Sequence, residues 1–327
     1  MRILVTGGAG FIGSHLCDRL LEAGHAVTAL DDLSTGAAGN VASARDRGEF
    51  RLHLGDAADR DTAFPLVAAA DLVVHLAAEV GVRRVLERPV ASIANNLGPL
   101  ETVLAAAAAR GVPVLYASSS EVYGRSASLP HREEAELVLG SPRVARWSYA
   151  CAKAMGEWMC FARHRESGLP VTVVRLFNTV GPRQSDRYGM VLPTFVRQGL
   201  SGLPLTVHGD GSQTRCFAAV DEVSRALAAL ATDGFRGGRI LNVGSDREIA
   251  IGELARRVAA ATGGRSPVVS VDPVELYGPD FEDLPRRVPA LDALRAAVGF
   301  APSRDIDDIF RETVAAERRA AERTAES

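Results

Sequence analysis

The chain has 327 residues, 47% of them hydrophobic and 24% charged, with a formal net charge of −3 at pH 7. This is an ordinary composition for a globular protein, and the charge gives no indication of nucleic-acid binding. No stretch reaches the ~18 unbroken apolar residues of a membrane span, and we expect no secretory leader because residue 2 already begins a predicted core strand.

The four cysteines, Cys17, Cys151, Cys160 and Cys216, are scattered without the spacing of metal ligands. We therefore predict no metal site and a reduced, cytoplasmic protein. Cys17 and Cys151 fall on predicted helices, where small core residues are expected.

The chain opens with a pattern typical of nucleotide binding. Arg2–Thr6 is a short apolar run, as in a buried parallel strand, and the glycine-rich segment 7–13 follows at once. A helical pattern then places Ile12, Leu16 and Leu20 on one face. Because glycines let the backbone approach a pyrophosphate at the N-terminus of a helix, this order predicts a dinucleotide site.

Acidic residues follow the next predicted strands. Asp31 and Asp32 end the second strand, where a carboxylate accepts hydrogen bonds from the ribose hydroxyls of adenosine and repels a 2′-phosphate. This favours NAD over NADP. Asp56 follows the third strand and could bond the adenine amino group, cap a helix, or do both. His75 lies within an apolar strand and is interpreted as a buried core histidine.

Tyr149 and Lys153 are four residues apart, and therefore on the same face of a helix. There the ammonium group can lower the tyrosine pKa from its usual ~10, which gives an acid/base able to act on an alcohol near neutral pH. Ser119, Ser120 and Glu121, just after an upstream strand, add hydroxyl donors and a carboxylate. Together these residues predict redox chemistry at a sugar carbon.

Alternating strands and helices continue to about Arg175, which predicts a doubly wound parallel sheet in an α/β protein. We expect an NAD-binding Rossmann domain over 1–177, completed by parts near 205–245. A smaller, mainly substrate-binding C-terminal lobe is expected over 178–314, with a solvated tail over 315–327. Later helices are predicted at 192–200, 220–231, 251–261 and 291–298, and strands at 205–207, 240–243 and 268–271.

Arginines recur in three glycine- or proline-rich loops of the second half, at Arg183, Arg215 and the pair Arg286 and Arg287. Guanidinium groups bind phosphate and carboxylate oxygens bidentately. These loops therefore predict a site for a diphosphate and a sugar carboxylate.

These motifs resemble those of the extended short-chain dehydrogenase/reductases that act on nucleotide sugars, from Met1 to about Phe310. The segments that carry the resemblance are 6–13, 31–32, 75–78, 149–153 and 175–178. The resemblance implies an enzyme with tightly held NAD, a UDP- or dTDP-sugar substrate, and a dimer formed through a helical bundle. It also implies a common first step. Tyr149 removes the C4 hydroxyl proton while hydride passes to NAD, Lys153 positions the ribose, and Ser119 or Ser120 bonds the C4 oxygen.

The expected contacts follow from the motifs and the resemblance together. Cofactor contacts are expected at Gly7, Gly10, Phe11, Ile12, Gly13, Asp31, Asp32, Ser34, Gly36, Asp56, Ala57, Leu76, Ala77, Ala78, Asn95, Tyr149 and Lys153. Substrate contacts are expected at Glu121, Asn178, Arg187, Arg215 and Arg286. The catalytic set is Ser119, Ser120, Glu121, Tyr149, Lys153 and Arg215.

Segments 119–124 and 213–215 resemble the Ser-Ser-Glu-Val-Tyr-Gly and Gln-Thr-Arg motifs of UDP-glucuronate decarboxylases. Oxidation of C4 would give a β-keto acid that loses C6 as carbon dioxide, which yields UDP-4-keto-xylose or UDP-xylose. Arg215 would hold the carboxylate or assist proton delivery, and Glu121 would orient ring hydroxyls or act at C5. Ser120 replaces the aspartate usual in 4,6-dehydratases, and simple 4-epimerases often lack a carboxylate at position 121.

The main alternative is a UDP-glucuronate 4-epimerase, because segment 184–190 with Arg187 resembles a loop of those enzymes. A second cation there could hold the carboxylate out of alignment with the C4 ketone, and the product would then be UDP-galacturonate. Less favoured are another nucleotide-sugar 4-epimerase, a 4,6-dehydratase, and a non-catalytic protein that binds NAD or a sugar.

Overall fold

The computed structural model describes residues 1–185, 190–277 and 282–325. The strands are β1 Arg2–Thr6, β2 Ala26–Asp31, β3 Phe50–Leu54, β4 Leu72–His75, β5 Val114–Ser119, β6 Val171–Leu176, β7 Thr179–Val180, β8 Leu205–His208, β9 Thr214–Cys216, β10 Ala218–Ala219, β11 Arg239–Val243, β12 Glu248–Ala250 and β13 Val268–Val271.

The helices are α1 Phe11–Glu22, α2 Ala42–Arg45, α3 Arg60–Ala68, α4 Val82–Glu87, α5 Pro89–Arg110, α6 Trp147–Ser167, α7 Val191–Leu200, α8 Val220–Ala231, α9 Ile251–Ala261, α10 Pro273–Tyr277, α11 Asp292–Val298 and α12 Ile306–Ala325. Short 3-10 helices lie at Ala38–Val41 and Ser120–Tyr123.

The central sheet has seven parallel strands in the order β11-β6-β5-β4-β1-β2-β3. Leu4 in the middle of β1 pairs with Thr28 of β2 on one side and Val73 of β4 on the other. The strand order reverses between β1 and β4, and in such sheets ligands bind at that point, beyond the carboxyl ends of the strands.

Alternating side chains of the central strands build two separate cores. Ile3 and Val5 of β1 pack with α1, α8 and α11 on one face of the sheet. Leu4, between them, packs with α3, α5 and α6 on the other face. Because both faces are covered by helices, the central strands β1 and β4 are mostly apolar and buried, as is usual for parallel sheets. The predicted doubly wound α/β fold is confirmed.

Local signals place the helix starts that matter for the cleft. Asp59 caps α3, and its carboxylate accepts hydrogen bonds from the backbone N–H groups of Asp61 and Thr62. Helix α5 begins with Pro89, which has no N–H to leave unpaired at that position.

The smaller lobe has its own core, formed by α7, α9 and α12 around β8 with Phe195, Leu254 and Phe310. Its short strands pair outside the central sheet, as β7 with β10, β8 with β13, and β9 with β12. Of the expected sheet-completing parts near 205–245, β11 does join the central sheet, but β8 does not. The boundary at 177 stays a prediction.

Two further observations bear on the expectations from sequence. Cys17 is buried as expected, but Cys151 is exposed on α6, so its assignment to the core is corrected. No helix in the described ranges is both long and apolar enough to cross a membrane.

Candidate active site

A cleft of about 1430 Å³ opens along the carboxyl ends of the central strands and reaches under the smaller lobe. Its walls include residues that follow β1, β2, β3, β4, β5 and β6, together with residues of α7, β8 and β9. Pockets for one small molecule usually measure ~300–1,000 Å³, so this cleft has room for a dinucleotide and a second ligand side by side.

The glycine turn closes tightly at one end of the cleft. Gly7 has a φ of +70°, which favours glycine, and a Cβ at Gly13 would lie 2.1 Å from the carbonyl oxygen of Gly7. Helix α1 then begins at Phe11 without an acidic residue in its first turn or a side-chain cap. Its first N–H groups are therefore available for an anion, as a pyrophosphate requires.

Asp31 is buried at the end of β2 and accepts hydrogen bonds from the N–H groups of Ala9 and Leu33, both at 2.9 Å. Burial raises the pKa of this carboxyl group, and the two backbone hydrogen bonds oppose that shift. A carboxylate accepts about four hydrogen bonds, so Asp31 can also receive ribose hydroxyls from the cleft that it lines.

The neighbouring predicted contacts divide into two groups. Asp32 and Asp56 line the cleft, whereas Ser34 and Gly36 are not among its lining residues. Ser34 instead donates its hydroxyl proton to Asp32 at 2.6 Å, and Gly36 lies against Ala9 and Asp31. Direct cofactor contacts at Ser34 and Gly36 stay a prediction.

The remaining residues that were predicted to contact the cofactor line the cleft. The lining residues include Gly7, Gly10, Phe11, Ile12, Gly13, Ala57, Leu76, Ala77, Ala78, Asn95, Tyr149 and Lys153. His75 is buried behind them, and its Nδ1 is 2.8 Å from the hydroxyl of Thr6. Asp59, not Asp56, caps α3, and Asp56 instead accepts the N–H of Ala58 at 2.8 Å. The residues present thus fit NAD.

The predicted Tyr149 and Lys153 meet the end of β5 inside the cleft. The hydroxyl of Tyr149 is hydrogen-bonded to Ser119, and Lys153 donates from Nζ to the carbonyl of Ala117 at 2.9 Å. Burial lowers the pKa of Lys153 to about 8. Burial also raises the pKa of Tyr149, opposed by Ser119 and Arg287. The expectation that the tyrosine pKa lies below its usual value is therefore corrected, because burial outweighs the neighbouring charges.

Glu121 sits between two guanidinium groups next to this pair. Its Oε1 accepts from Arg287 at 2.8 Å and its Oε2 accepts from Arg146 at 3.3 Å. Although burial opposes ionisation, Arg287 and Arg146 lower the pKa of Glu121 to about 2. Glu121 is therefore a carboxylate at neutral pH, able to accept a proton or hydrogen bond but not to act as an acid.

A second ion pair completes the cluster, because Arg215 donates to Asp283 at 2.5 Å. Around this end of the cleft, the three guanidinium groups of Arg146, Arg215 and Arg287 thus face the two carboxylates of Glu121 and Asp283. The excess of positive charge suits an anionic substrate group, which guanidinium binds in a bidentate manner.

The two arginines of the third loop, Arg286 and Arg287, have different surroundings. Arg286, the predicted substrate contact, is half exposed and forms an ion pair with Glu248 at 2.6 Å. Arg287 is 4% exposed, lines the cleft and reaches Ser120 as well as Glu121. The substrate contact at Arg286 stays a prediction, and Arg287 is a further candidate because it lines the cleft. The signal was present in the sequence, since both arginines stand in one loop, but the loop pattern does not say which one faces inward.

Other arginines and polar residues lie as follows. Asn178 lines the cleft and donates to the carbonyl of Cys216 at 3.2 Å. Arg183 pairs with Asp18 of α1 at 2.9 Å. Arg187 lies outside the described residues. Arg146 and Asp283 were missed in the sequence, where nothing distinguishes them from surface charges.

Comparison with known proteins agrees with this geometry. The family model of the NAD-dependent epimerase/dehydratase family matches residues 3–244. The chain belongs to this family. The predicted extended short-chain dehydrogenase/reductase type and the predicted NAD cofactor are confirmed at the level of the family.

Individual members of the epimerase/dehydratase family extend the comparison. A UDP-N-acetyl-α-D-glucosaminuronate decarboxylase of Bacillus cytotoxicus is 37% identical over 314 residues, which cover 96% of each chain. UDP-glucuronic acid decarboxylase 1 of Xenopus tropicalis is 32% identical over 96% of this chain and 71% of its own length. The structure of Bacillus cereus UDP-glucuronic acid 4-epimerase with UDP-glucuronic acid and NAD is 27% identical, with a TM-score of 0.87 over 98% of this chain and 100% of that one.

Proposed function

We propose that the chain is an NAD-dependent UDP-glucuronate decarboxylase that yields UDP-4-keto-xylose or UDP-xylose. The observation that carries the proposal is the cluster of Glu121, Arg146, Arg215 and Arg287 next to the hydrogen-bonded pair of Tyr149 and Ser119. One end of the cleft thus carries groups for oxidation of an alcohol, and beside them lie cations for a carboxylate.

The chemistry begins at the C4 hydroxyl, which Ser119 would orient and from which Tyr149 would take the proton. Bound NAD would supply the acceptor for the C4 hydride and later return it. Lys153, held on the carbonyl of Ala117 beside Tyr149, would bind the ribose of the cofactor. Ser120, which contacts Arg287, would hold the ketone oxygen from the other side.

Decarboxylation follows because the C4 ketone is β to the C6 carboxylate. The bond between C5 and C6 breaks, carbon dioxide leaves, and the electron pair remains as the enolate of the C4 ketone until C5 takes a proton. The arginines would hold the carboxylate before it leaves. Glu121, ionised at neutral pH, would accept a hydrogen bond from a ring hydroxyl or from the water that delivers a proton to C5.

Relatives support decarboxylation and also raise a question of substrate. The Xenopus tropicalis relative is named for UDP-glucuronic acid, whereas the Bacillus cytotoxicus relative is named for the sugar with an N-acetyl group. Both names describe a UDP-hexuronate that loses carbon dioxide. UDP-glucuronate and its 2-acetamido analogue therefore have to be compared directly as substrates.

The 4-epimerase is the second candidate, and the Bacillus cereus structure favours it through its bound UDP-glucuronic acid and its TM-score of 0.87. An epimerase would retain C6 and return hydride to the other face of C4. The two reactions thus differ in the fate of one carbon atom.

The test follows that carbon atom. The purified protein is supplied with NAD and either UDP-glucuronate or its 2-acetamido analogue, each labelled with ¹³C at C6. We expect labelled carbon dioxide and an unlabelled UDP-pentose in the NMR spectrum. A UDP-hexuronate that keeps the label and differs only at C4 would show epimerisation instead, and binding without turnover would favour a non-catalytic protein.

We also propose a homodimer in which α5 and α6 of two copies form a four-helix bundle. Val90 and Ile93 on α5, and Met155 and Trp158 on α6, are large apolar side chains left exposed, Trp158 by 62%. Such a patch on two neighbouring helices suits a symmetric interface with a second copy. Trp158→Glu should give a monomer in light scattering, whereas Leu54→Glu, at a 63% exposed side chain on β3, should leave the dimer intact.

We also propose a cytoplasmic location. The four cysteines are all free thiols, as expected in a reducing compartment. Cell fractionation with an antibody to the protein would test this.

A further inference from the structure

Asn242 is a fully buried polar residue in the edge strand β11 of the central sheet. Its Nδ2 donates to the carbonyl oxygens of His131 at 2.9 Å and Ala290 at 3.2 Å. Its Oδ1 accepts the hydroxyl proton of Tyr123 at 2.7 Å. One side chain thus connects three segments that are far apart in the sequence.

Two of these segments carry the ion pair of the candidate site. Tyr123 ends the 3-10 helix Ser120–Tyr123, two residues after Glu121. Ala290 lies three residues after Arg287. The third segment links them, because the N–H of His131 donates to Val288 at 2.7 Å and the N–H of Ala290 donates back to His131 at 2.8 Å.

The ring of Tyr123 is fixed by further contacts. It stacks on the ring of His131 with 4.5 Å between centroids and 5° between planes. The guanidinium of Arg175 lies 4.7 Å from the same ring and forms two hydrogen bonds to Glu157, at 2.9 and 2.7 Å. The position of Glu121 is therefore tied through Tyr123 to the interior of the sheet.

A buried asparagine is costly unless its amide is paired, whereas an apolar residue would fit a buried strand without that requirement. Here both amide atoms are paired, and two of their three partners, Tyr123 and Ala290, belong to the segments that bear Glu121 and Arg287. Asn242 does not itself line the cleft. Its influence on chemistry must therefore pass through the geometry of those two residues.

We propose that Asn242 is a positioning residue that sets the distance between Glu121 and Arg287 for the decarboxylation step. The inference rests on the proposed function. Groups for C4 oxidation lie on β5 and α6, through Ser119, Tyr149 and Lys153, and none of the three is a hydrogen-bond partner of Asn242. Loss of the asparagine amide therefore slows release of carbon dioxide more than it slows oxidation of C4.

The test compares Asn242→Ala with a matched control, Thr172→Val. Thr172 is also fully buried, in the adjacent strand β6, and loses one hydrogen bond to the carbonyl of Arg236 at the other end of the sheet. Both variants are expected to lose thermal stability. With ¹³C-labelled UDP-glucuronate, single-turnover experiments follow bound NADH by absorbance and carbon dioxide by mass spectrometry.

We expect Asn242→Ala to release carbon dioxide at least about tenfold more slowly than the parent, since a misplacement near 1 Å can cost ~10²-fold in rate. NADH formation should stay within about threefold, so that NADH accumulates. Thr172→Val should keep the parental ratio of the two rates. Equal slowing of both steps, or an unchanged ratio, would overturn the inference.

A milder variant protects the test against misfolding. Tyr123→Phe removes only the hydroxyl that donates a hydrogen bond to Asn242, and it keeps the ring that stacks on His131. We expect this variant, like Asn242→Ala, to slow carbon dioxide release more than NADH formation. An unchanged ratio of the two rates in this folded variant would also contradict the inference. A parent protein that releases no carbon dioxide at all would instead contradict the proposed function.

Discussion

The guanidinium of Arg287 lies 2.8 Å from the carboxylate of Glu121, and both groups face the cleft beside Tyr149. The neighbouring Arg286 points elsewhere and pairs with Glu248 on the surface. Two adjacent arginines thus have different surroundings, and this difference offers a matched pair of variants for the site.

Arg287→Lys keeps the positive charge but loses the planar fork that can hold two oxygens at once. We expect carbon dioxide release from UDP-glucuronate to fall by about 10²-fold, the usual cost of removing one donor at a reacting centre. Carbon dioxide release by Arg286→Lys should stay within about twofold of the parent rate, because exposed ion pairs contribute little. Equal rates for the two variants, measured by carbon dioxide release, would show that Arg287 does not hold the reacting group.

Removal of the tyrosine hydroxyl tests the oxidation step. Tyr149→Phe leaves the ring in place and removes the group that would take the C4 proton, so NADH formation on addition of UDP-sugar should fall by about 10²–10⁴-fold. NADH formation by Ser119→Ala should fall less, because this variant removes a hydrogen-bond partner of Tyr149 and of the C4 hydroxyl but keeps the group that takes the proton. Absorbance of bound NADH in a stopped-flow instrument measures both, and normal turnover by Tyr149→Phe would refute the role.

Lys153 is the only lysine in the chain, so its ionisation can be observed without interference. Burial lowers its pKa to about 8 from the ordinary 10.5. In protein made with ¹³Cε-lysine, we expect a single side-chain signal that titrates near pH 8 before cofactor is added. A midpoint near 10.5 would show that the ammonium is solvated and that the site is more open than described.

The lowered pKa of Lys153 also predicts how the stability of the fold changes with pH. Between pH 8 and 10.5 the folded protein has released the Lys153 proton while the unfolded chain still holds it. The contribution of Lys153 to the free energy of unfolding therefore increases as pH rises through this window, and is lost as pH falls through 8. Lys153→Met, which cannot titrate, should lack this pH-dependent part in urea unfolding.

Much of the fold was accessible from sequence because the signals are local. The helical periods at 220–231 and 251–261 coincide with α8 and α9, and the apolar run at 268–271 coincides with β13. The pairing of strands is not local. The run at 205–207 looks like a strand in isolation, but only the tertiary structure shows that β8 pairs with β13 and not with the central sheet.

The candidate site shows the same division. Glycines, Asp31, Tyr149 and Lys153 stand in motifs whose spacing predicts their function. Arg146, Asp283 and Arg287 become visible only when distant segments meet around Glu121. The pKa of Tyr149 was predicted in the wrong direction because the sequence shows its neighbour Lys153 but not the burial that dominates.

The glycine turn provides a last prediction, on cofactor binding. A Cβ at Gly13 would lie 2.1 Å from the Gly7 carbonyl oxygen, and because that atom is backbone the turn itself would have to move. We expect Gly13→Ala to lose at least about 1–3 kcal/mol of stability and to be purified without NAD. Gly39→Ala, where a Cβ meets nothing within 4 Å, should keep both the stability and the cofactor. Differential scanning calorimetry and the nucleotide content of the purified protein measure these outcomes, and retained NAD in Gly13→Ala would contradict the close approach of the turn to the pyrophosphate.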